Sequence, residues 1–289
     1  MPTDSSARWL MPTVRTCLSF PPLRALAAVI GMAVASAIGG TLPAIGADHS
    51  ARDVTKRLFE ATREQPADYA DANLSMLDLS RIDFKASRFT GADFYGTDLT
   101  GSSLVGTELA DTRLDRAVII GANFSEANLE GASLLRPTTH SNDLADPSET
   151  ARFANAKMAG IRIIARLPGA DFRGADLTDA DFSPLQTRRD TIATIPHCEL
   201  AGADFAAAKL RQAKLFRAEL RFASFRQADL SGADLREADL TRADFTGAIL
   251  TGADLTGAII EGADFTGAIG LSEAKGVEIA AGRSERPGP

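Results

Sequence analysis

Three histidines and two cysteines are the side chains of this 289-residue chain best suited to binding a transition metal. His140 and His197 lie in two polar segments, and Cys198 and Glu199 directly follow His197. Imidazole, thiolate and carboxylate groups form zinc-type sites when a fold brings them together. Nothing in the spacing requires these segments to meet, and Cys198 also suits a small buried position before the apolar Leu200. We therefore predict no metal site.

Carboxylates recur every five residues in the second half of the chain, where they would lie in regular rows. The rows contain Asp229, Asp234, Asp239, Asp244, Asp254 and Asp264. A regular row selects no pair for general acid–base catalysis, so these carboxylates are interpreted as solvated repeat positions. The sequence also contains no Gly-rich phosphate loop, nucleophile elbow or zinc-ligand spacing. We predict a protein that is not an enzyme, with no catalytic residue and no cofactor.

The five-residue spacing extends over most of the chain from Ala72 onward. Leu or Phe occupies the centre of each unit, and Ala or another small residue lies two positions earlier. A helix repeats about every 3.6 residues and a strand every 2, so neither explains this period. Two inward and three outward positions per unit fit one side of a square coil. The predicted core comprises Leu74, Phe84, Phe94, Leu104, Phe124, Leu134, Phe172, Leu210, Leu220, Leu230, Leu240 and Leu250.

Individual units also match a known consensus. Ala-Asp-Leu-Ser-Gly at 228–232 and Ala-Asp-Phe-Thr-Gly at 243–247 and 263–267 resemble units of the pentapeptide-repeat family. The resemblance covers most of residues 72–269 and implies an all-β solenoid, a right-handed quadrilateral β-helix with four units per coil. Adjacent coils would lie about 4.8 Å apart, the usual distance between paired strands. The family indicates fold more strongly than function, because its members do unrelated things.

Interruptions of the five-residue spacing divide the repeat region. Repeat coils are predicted at 72–134 and 200–269, with shorter repeat pieces at 153–182. The interruptions are an inserted loop at 135–152, a break at 164–169 and a second inserted loop at 183–199. Each is expected to leave the rod at a corner as a loop and to return. Inserted loops in repeat proteins often bind partners, and a neutral insertion is the alternative for both long loops.

The two ends of a solenoid need caps, because an open coil exposes unpaired backbone groups. We predict that residues 48–71 form a short N-terminal capping helix and a linker. Ser50 and Asp53 have the spacing of a helix N-terminus, and Pro66 stops the helix. Residues 270–289 are predicted to form a C-terminal cap followed by a disordered tail.

The first 47 residues have the three parts of a secretory signal. Arginines precede an apolar run at 25–38, and small residues follow it as far as Ala47. We predict cleavage after Ala47, with Ala37 as the second choice, and a mature protein that is periplasmic or secreted without stable membrane insertion. The alternative is that the apolar run stays uncleaved as a membrane anchor.

Charge is distributed unevenly along the chain, whose net charge is −7. Six basic residues against one acidic residue make 206–226 a basic band, and eight acidic residues against two basic ones make 227–265 acidic. Exposed aromatic rings beside arginines are typical of contact surfaces. We predict an interaction patch in the basic band, and the alternative is that the loop at 183–197 covers its rings. The patch consists of Lys214, Phe216, Arg217, Arg221 and Phe222.

These features predict an exported, non-enzymatic solenoid that acts as a protein-interaction or structural scaffold in the periplasm or cell envelope. Its partner would be an unidentified protein, with a homodimer also considered, and the negative net charge argues against nucleic acid. One alternative follows from the resemblance: an acidic, DNA-mimicking inhibitor of a topoisomerase, if the chain is not exported. The other is a metal- or ligand-binding protein that uses the inserted loops.

Overall fold

A computed structural model of the chain describes residues 47–62, 64–141, 146–185 and 197–277. The predicted signal before Ala47 and the final segment 278–289 lie outside the described residues. Within the described ranges, no helix combines the length and apolar character needed to span a bilayer.

Successive repeat units stack in parallel at a spacing of one coil. Asp68 pairs with Arg88, and the Tyr69 amide donates to the Arg88 carbonyl over 2.8 Å. Further parallel pairs 20 residues apart join the next three units to the coil above. Four five-residue units therefore complete one turn of the chain, and the predicted four-sided β-solenoid is observed.

The predicted core positions line the inside of these coils. All twelve Leu and Phe centres named above are at most 1% exposed. Along one side of the solenoid, seven phenylalanine rings stack face to face, with centroids 4.9–5.2 Å apart and planes within 8° of parallel. These rings belong to Phe124, Phe153, Phe172, Phe205, Phe225, Phe245 and Phe265. The small residue of each unit lets adjacent walls of the coil approach one another.

The corners explain the composition of the outward positions. The last residue of each unit has a positive φ, as at Gly247 (68°) and Gly91 (71°), a conformation that glycine adopts without steric cost. The aspartate before each centre accepts a bond from the amide two residues later. Asp264 Oδ1, for example, accepts from the Thr266 amide over 2.8 Å and from its hydroxyl over 2.6 Å. The rows of aspartates thus stabilise turns.

Few longer regular elements interrupt this pattern. Helix α1 spans Ala51–Glu60, and the Ser50 hydroxyl accepts from the Asp53 amide at its N-terminus. Strands β1 (Ser133–Leu135) and β2 (Arg162–Ile164) pair in parallel. Short 3-10 turns occupy Pro147–Glu149 and Leu271–Glu273.

The first inserted loop is shorter than the predicted 135–152. Val118 pairs with Thr138, so one more repeat unit follows Leu134. Thr139 occupies the inward position of that unit, 6% exposed, and its hydroxyl donates to the Arg166 carbonyl over 2.7 Å. A polar centre hid this unit from a search for Leu or Phe. The chain is back in the coil at Arg152, which pairs with Asn123.

The break at 164–169 is not a loop, so that expectation is wrong. Arg162 pairs with Asp181, only 19 residues later, which means that one residue of the repeat is missing. Ile164, Ala165 and Leu167 are at most 5% exposed. A loop would have placed these apolar side chains in water, whereas a deletion keeps them in the core.

The second inserted loop begins after the last described residue of its coil, at 185, and most of it lies outside the described residues. Cys198 and Glu199 already belong to the following coil, since Glu199 pairs with both Arg166 and Glu219. The predicted boundary at 199 is therefore two residues late.

Candidate functional site

The predicted interaction patch occupies two adjacent corners of one coil. Phe216 and Arg217 follow the buried Leu215, and Arg221 and Phe222 follow the buried Leu220. Phe216 and Arg217 are half-buried, and Arg221 is exposed. Phe222 is 58% exposed and has a φ of +59°, at a corner position where many other units carry glycine. A bulky side chain in that conformation is strained, so the exposed ring costs stability twice.

Arginines of the next coil lie over both rings. The Arg236 guanidinium carbon is 5.6 Å from the centroid of Phe216, and the Arg217 carbon is 5.5 Å from it. The Arg242 guanidinium carbon is 5.8 Å from the Phe222 centroid. The sequence analysis missed Arg236 and Arg242, since both lie in the acidic stretch. Their distance of 20 residues from each ring was the available signal.

The basic band is paired with carboxylates throughout. Arg217 Nε lies 2.8 Å from Glu237 Oε2, and Arg226 NH1 lies 2.7 Å from Asp244 Oδ2. Each of the other four cations is also within 4.0 Å of a carboxylate of its own coil or of an adjacent coil. They are Lys209, Arg211, Lys214 and Arg221. The coil is therefore a weaker attractant for an acidic partner than its linear charge suggested.

A cleft with a volume of about 340 Å³ lies between the two corners of the patch. Its lining includes Arg217, Glu219 and Arg221, together with Pro184 and His197. His197 Nε2 is 3.7 Å from Glu219 Oε2. Pro184 and His197 flank the second inserted loop, so this loop leaves and rejoins the solenoid beside the patch. Residues 186–196 lie outside the described residues, and loop cover of the rings stays an open alternative.

A second depression, of about 620 Å³, adjoins the exposed ring on the other side of Arg221. Phe222, Arg242 and Glu261 contribute to its lining. One coil before Phe222, the corresponding corner is Gly202, where an added Cβ atom would meet nothing within 4 Å. One face of the Phe222 ring is thus accessible to a partner side chain, while Arg242 covers the other.

The residues considered for metal binding are not brought together. Cys198 is fully buried, its Sγ is 3.2 Å from the Ile163 carbonyl oxygen, and burial raises the pKa of the thiol to about 12. The His140 Nδ1 atom is 2.8 Å from the Thr139 hydroxyl, in an earlier coil than His197. In the part of the chain that the structure describes, no group of three or more His, Cys, Asp and Glu residues suits a metal ion.

The aspartates of the repeat rows are held as carboxylates by the turns that they stabilise. Hydrogen bonds from the Thr266 hydroxyl and amide lower the pKa of Asp264. In Asp234 the main cause is the hydrogen bond from the Arg236 side chain, which also lowers the pKa. A general acid needs a raised pKa near neutrality, and these carboxyl groups are shifted in the opposite direction.

Comparisons with known proteins agree with the repeat. Several solved structures of pentapeptide repeat proteins are similar, and no curated protein matches the chain. HetL, from the cyanobacterium Nostoc sp. strain PCC 7120 and involved in heterocyst differentiation regulation, is 27% identical, with 78% of this chain and 96% of HetL covered and a TM-score of 0.31. QnrB1, a plasmid-mediated fluoroquinolone resistance protein, is 24% identical over 77% of this chain and 99% of its own, with a TM-score of 0.39.

A third similar structure is a pentapeptide repeat protein from the thylakoid lumen of Arabidopsis thaliana. It is 26% identical, with 50% of this chain and 77% of its own covered and a TM-score of 0.26. The profile of the family described as pentapeptide repeats (8 copies) matches residues 70–106, 101–134, 165–183, 198–236 and 233–269. These matches span more than half of the chain and coincide with the stacked coils. The chain therefore belongs to the pentapeptide repeat family.

Proposed function

We propose that this protein is an exported, non-enzymatic scaffold that binds another protein through the corner patch around Phe222. The observation that carries the proposal is the 58% exposure of this phenylalanine at a strained corner of an otherwise polar coil. A strained and exposed aromatic side chain costs stability, and such costs are concentrated at binding surfaces. The depression beside the ring provides room for a side chain of the partner.

A rigid support favours such a surface. Leu220 and Phe225, on either side of the exposed ring, are fully buried, and the Phe222 amide is bonded to the Thr241 carbonyl over 3.0 Å. Backbone held on both sides leaves little conformational entropy to lose on binding. The partner we propose is a protein, including a second copy of this chain, and the net charge of −7 argues against nucleic acid.

We also propose a right-handed winding of the coils, for which the family resemblance is the support, and a capping role for helix α1. Val54 and Leu58 of this helix are fully buried, and the Tyr69 hydroxyl donates to the Val54 carbonyl over 3.5 Å. The Asp48 amide donates to the Asn73 carbonyl over 2.7 Å, and Asp48 Oδ2 accepts from the Asn73 amide. These bonds occupy backbone groups that a preceding coil would otherwise use.

Partner capture from the native envelope fraction tests the contact surface. We would compare the wild-type chain with Phe222→Gln and identify proteins by mass spectrometry. Sedimentation velocity would report on self-association. Met76→Gln is the matched control, because Met76 is also a corner residue with positive φ (61°) and is 73% exposed. We expect Phe222→Gln alone to lose a partner or a self-associated form.

Equal capture and equal sedimentation for both variants would refute the patch as the contact surface. A fall in stability for Phe222→Gln without any change in association would instead favour cover by the inserted loop. Export is tested separately by fractionating cells and sequencing the N-terminus of the mature chain. A cytoplasmic, unprocessed chain would favour the topoisomerase inhibitor over the envelope scaffold.

A further inference from the structure

Two arginines lie one above the other at a different corner of the solenoid, far along the chain from the patch. Arg116 and Arg136 are equivalent residues of adjacent coils: the Arg116 amide donates to the Leu135 carbonyl over 2.9 Å, and the Arg136 amide to the Ile164 carbonyl over 2.7 Å. Both side chains are exposed. Their φ angles, 58° and 54°, are nearly the same, so both side chains leave the corner in the same direction.

Neither guanidinium group has a counter-ion. Among the described residues, no carboxylate oxygen lies within 4.0 Å of Arg116 or Arg136. Elsewhere, neighbouring coils place opposite charges together, as in Arg162 with Asp181 and Arg217 with Glu237. In the part of the chain that the structure describes, this is the one pair of cations at equivalent positions of adjacent coils. Like charges on adjacent strands destabilise a sheet, so the arrangement has a cost.

The surrounding surface increases the positive potential at this corner. Segments 113–118, 133–138 and 162–166 stack as consecutive coils, and together they carry five arginines and a single carboxylate. The other three arginines, Arg113, Arg162 and Arg166, each form an ion pair with a carboxylate. Arg116 and Arg136 are thus two unneutralised cations on a surface from which nearby carboxylates are nearly absent.

We propose that Arg116 and Arg136 form a binding site for a phosphate-type oxyanion, which bridges the two guanidinium groups. Each guanidinium presents a planar pair of N–H donors that matches two oxygens of a phosphate, and the bound anion removes the repulsion between the arginines. Free phosphate and the phosphate of a lipid headgroup share this chemistry. The site is separate from the Phe222 patch and does not depend on the proposed protein partner.

The test uses the full chain with inorganic phosphate as the probe, titrated at constant ionic strength against chloride. Binding is followed by isothermal titration calorimetry and by the melting temperature. We expect saturable binding that weakens by about tenfold or more in the double variant Arg116→Gln with Arg136→Gln, since two charge-assisted interactions are lost. Arg81→Gln is the matched control. Arg81 is an exposed corner arginine with a φ of 56°, and the equivalent residue of the next coil is Gly101.

A second variant makes the result independent of any loss of stability. Arg136→Glu would place opposite charges at the two corners, so it should raise the melting temperature without phosphate and abolish the response to phosphate. Vesicles containing phosphatidylglycerol, compared with neutral vesicles, distinguish a lipid headgroup from the free ion as the source. The proposal is overturned if phosphate binds no better than chloride, or if Arg81→Gln weakens binding as much as the double variant.

Discussion

The stacked phenylalanine column permits a quantitative test of what stabilises the solenoid. Phe225 is fully buried between Phe205 and Phe245, whose ring centroids are 5.1 and 4.9 Å away. Truncation to alanine removes a buried aromatic side chain, which costs about 3–5 kcal/mol in protein cores. Each lost ring pair contributes a further ~0.5–1.5 kcal/mol. We therefore expect Phe225→Ala to lower the free energy of unfolding by about 4–7 kcal/mol.

Two companion variants separate ring stacking from burial. Leu104 occupies the equivalent position of an earlier coil, between Phe84 and Phe124, so the coil accommodates leucine there. Phe225→Leu should cost about 1–3 kcal/mol, because it loses both stacking contacts but little volume. Phe222→Ala, only three residues away, should change stability by less than about 1 kcal/mol since its ring is largely exposed.

Urea denaturation followed by circular dichroism measures all three variants. The slope m needs to be compared with that of the wild type, because a repeat protein can lose a few coils separately from the rest. Similar losses for Phe222→Ala and Phe225→Ala at equal m would refute the assignment of inward and outward positions. A loss in Phe225→Leu as large as in Phe225→Ala would show that stacking, rather than burial, provides the stability.

Four other measurements test particular parts of the structure. Leu235→Asp places a charge in the core and should lower the melting temperature strongly, whereas Arg236→Asp, at the exposed neighbouring position, should lower it little; equal melting temperatures would contradict the fold. Cys198 should resist iodoacetamide at pH 8 in the native protein and react in urea, because burial holds its pKa at about 12; native labelling would refute its burial. Exported protein should show no tryptophan fluorescence, since the one tryptophan, Trp9, precedes the predicted cleavage site; its emission would refute cleavage. The pKa of Asp234 is lowered in the folded state, so its contribution to stability is present above about pH 4 and is lost as the pH falls further; melting curves from pH 7 to pH 2.5 should show a smaller acid loss for Asp234→Asn.

The sequence analysis predicted the coils well where the five-residue spacing is intact and less well where it is interrupted. The repeat specifies which side chains are apolar, and those must point inward in any four-sided coil. Thr139 was missed as a core position because its burial depends on one hydrogen bond to the Arg166 carbonyl, a residue 27 positions away. The segment 164–169 was taken for a loop because a one-residue deletion and an inserted loop both shift the register, and the sequence pattern alone does not distinguish them.

The electrostatic surface was predicted least well, for a physical reason. Charges were summed along the chain, which made 206–226 a basic band, yet its cations are paired with carboxylates, several of which lie about 20 or more residues away. Arg116 and Arg136 attracted no attention in the sequence, as each lies in a segment of ordinary charge. Side chains interact through space over a few ångströms, and stacking brings residues one coil apart within that range.

The amino-acid sequence by itself determined the family, the four-sided coil, the inward Leu and Phe positions and the role of the small residues, because all of these follow from a local period. The tertiary structure decided which outward side chains are neighbours: the arginines over Phe216 and Phe222, the carboxylates that neutralise the basic band, and the unneutralised pair of Arg116 and Arg136. Insertions and the deletion change the number of residues per coil from 20 to 29, 19 and 33. Vertical neighbours therefore follow from the stacking of the coils, and a fixed spacing in the chain does not specify them.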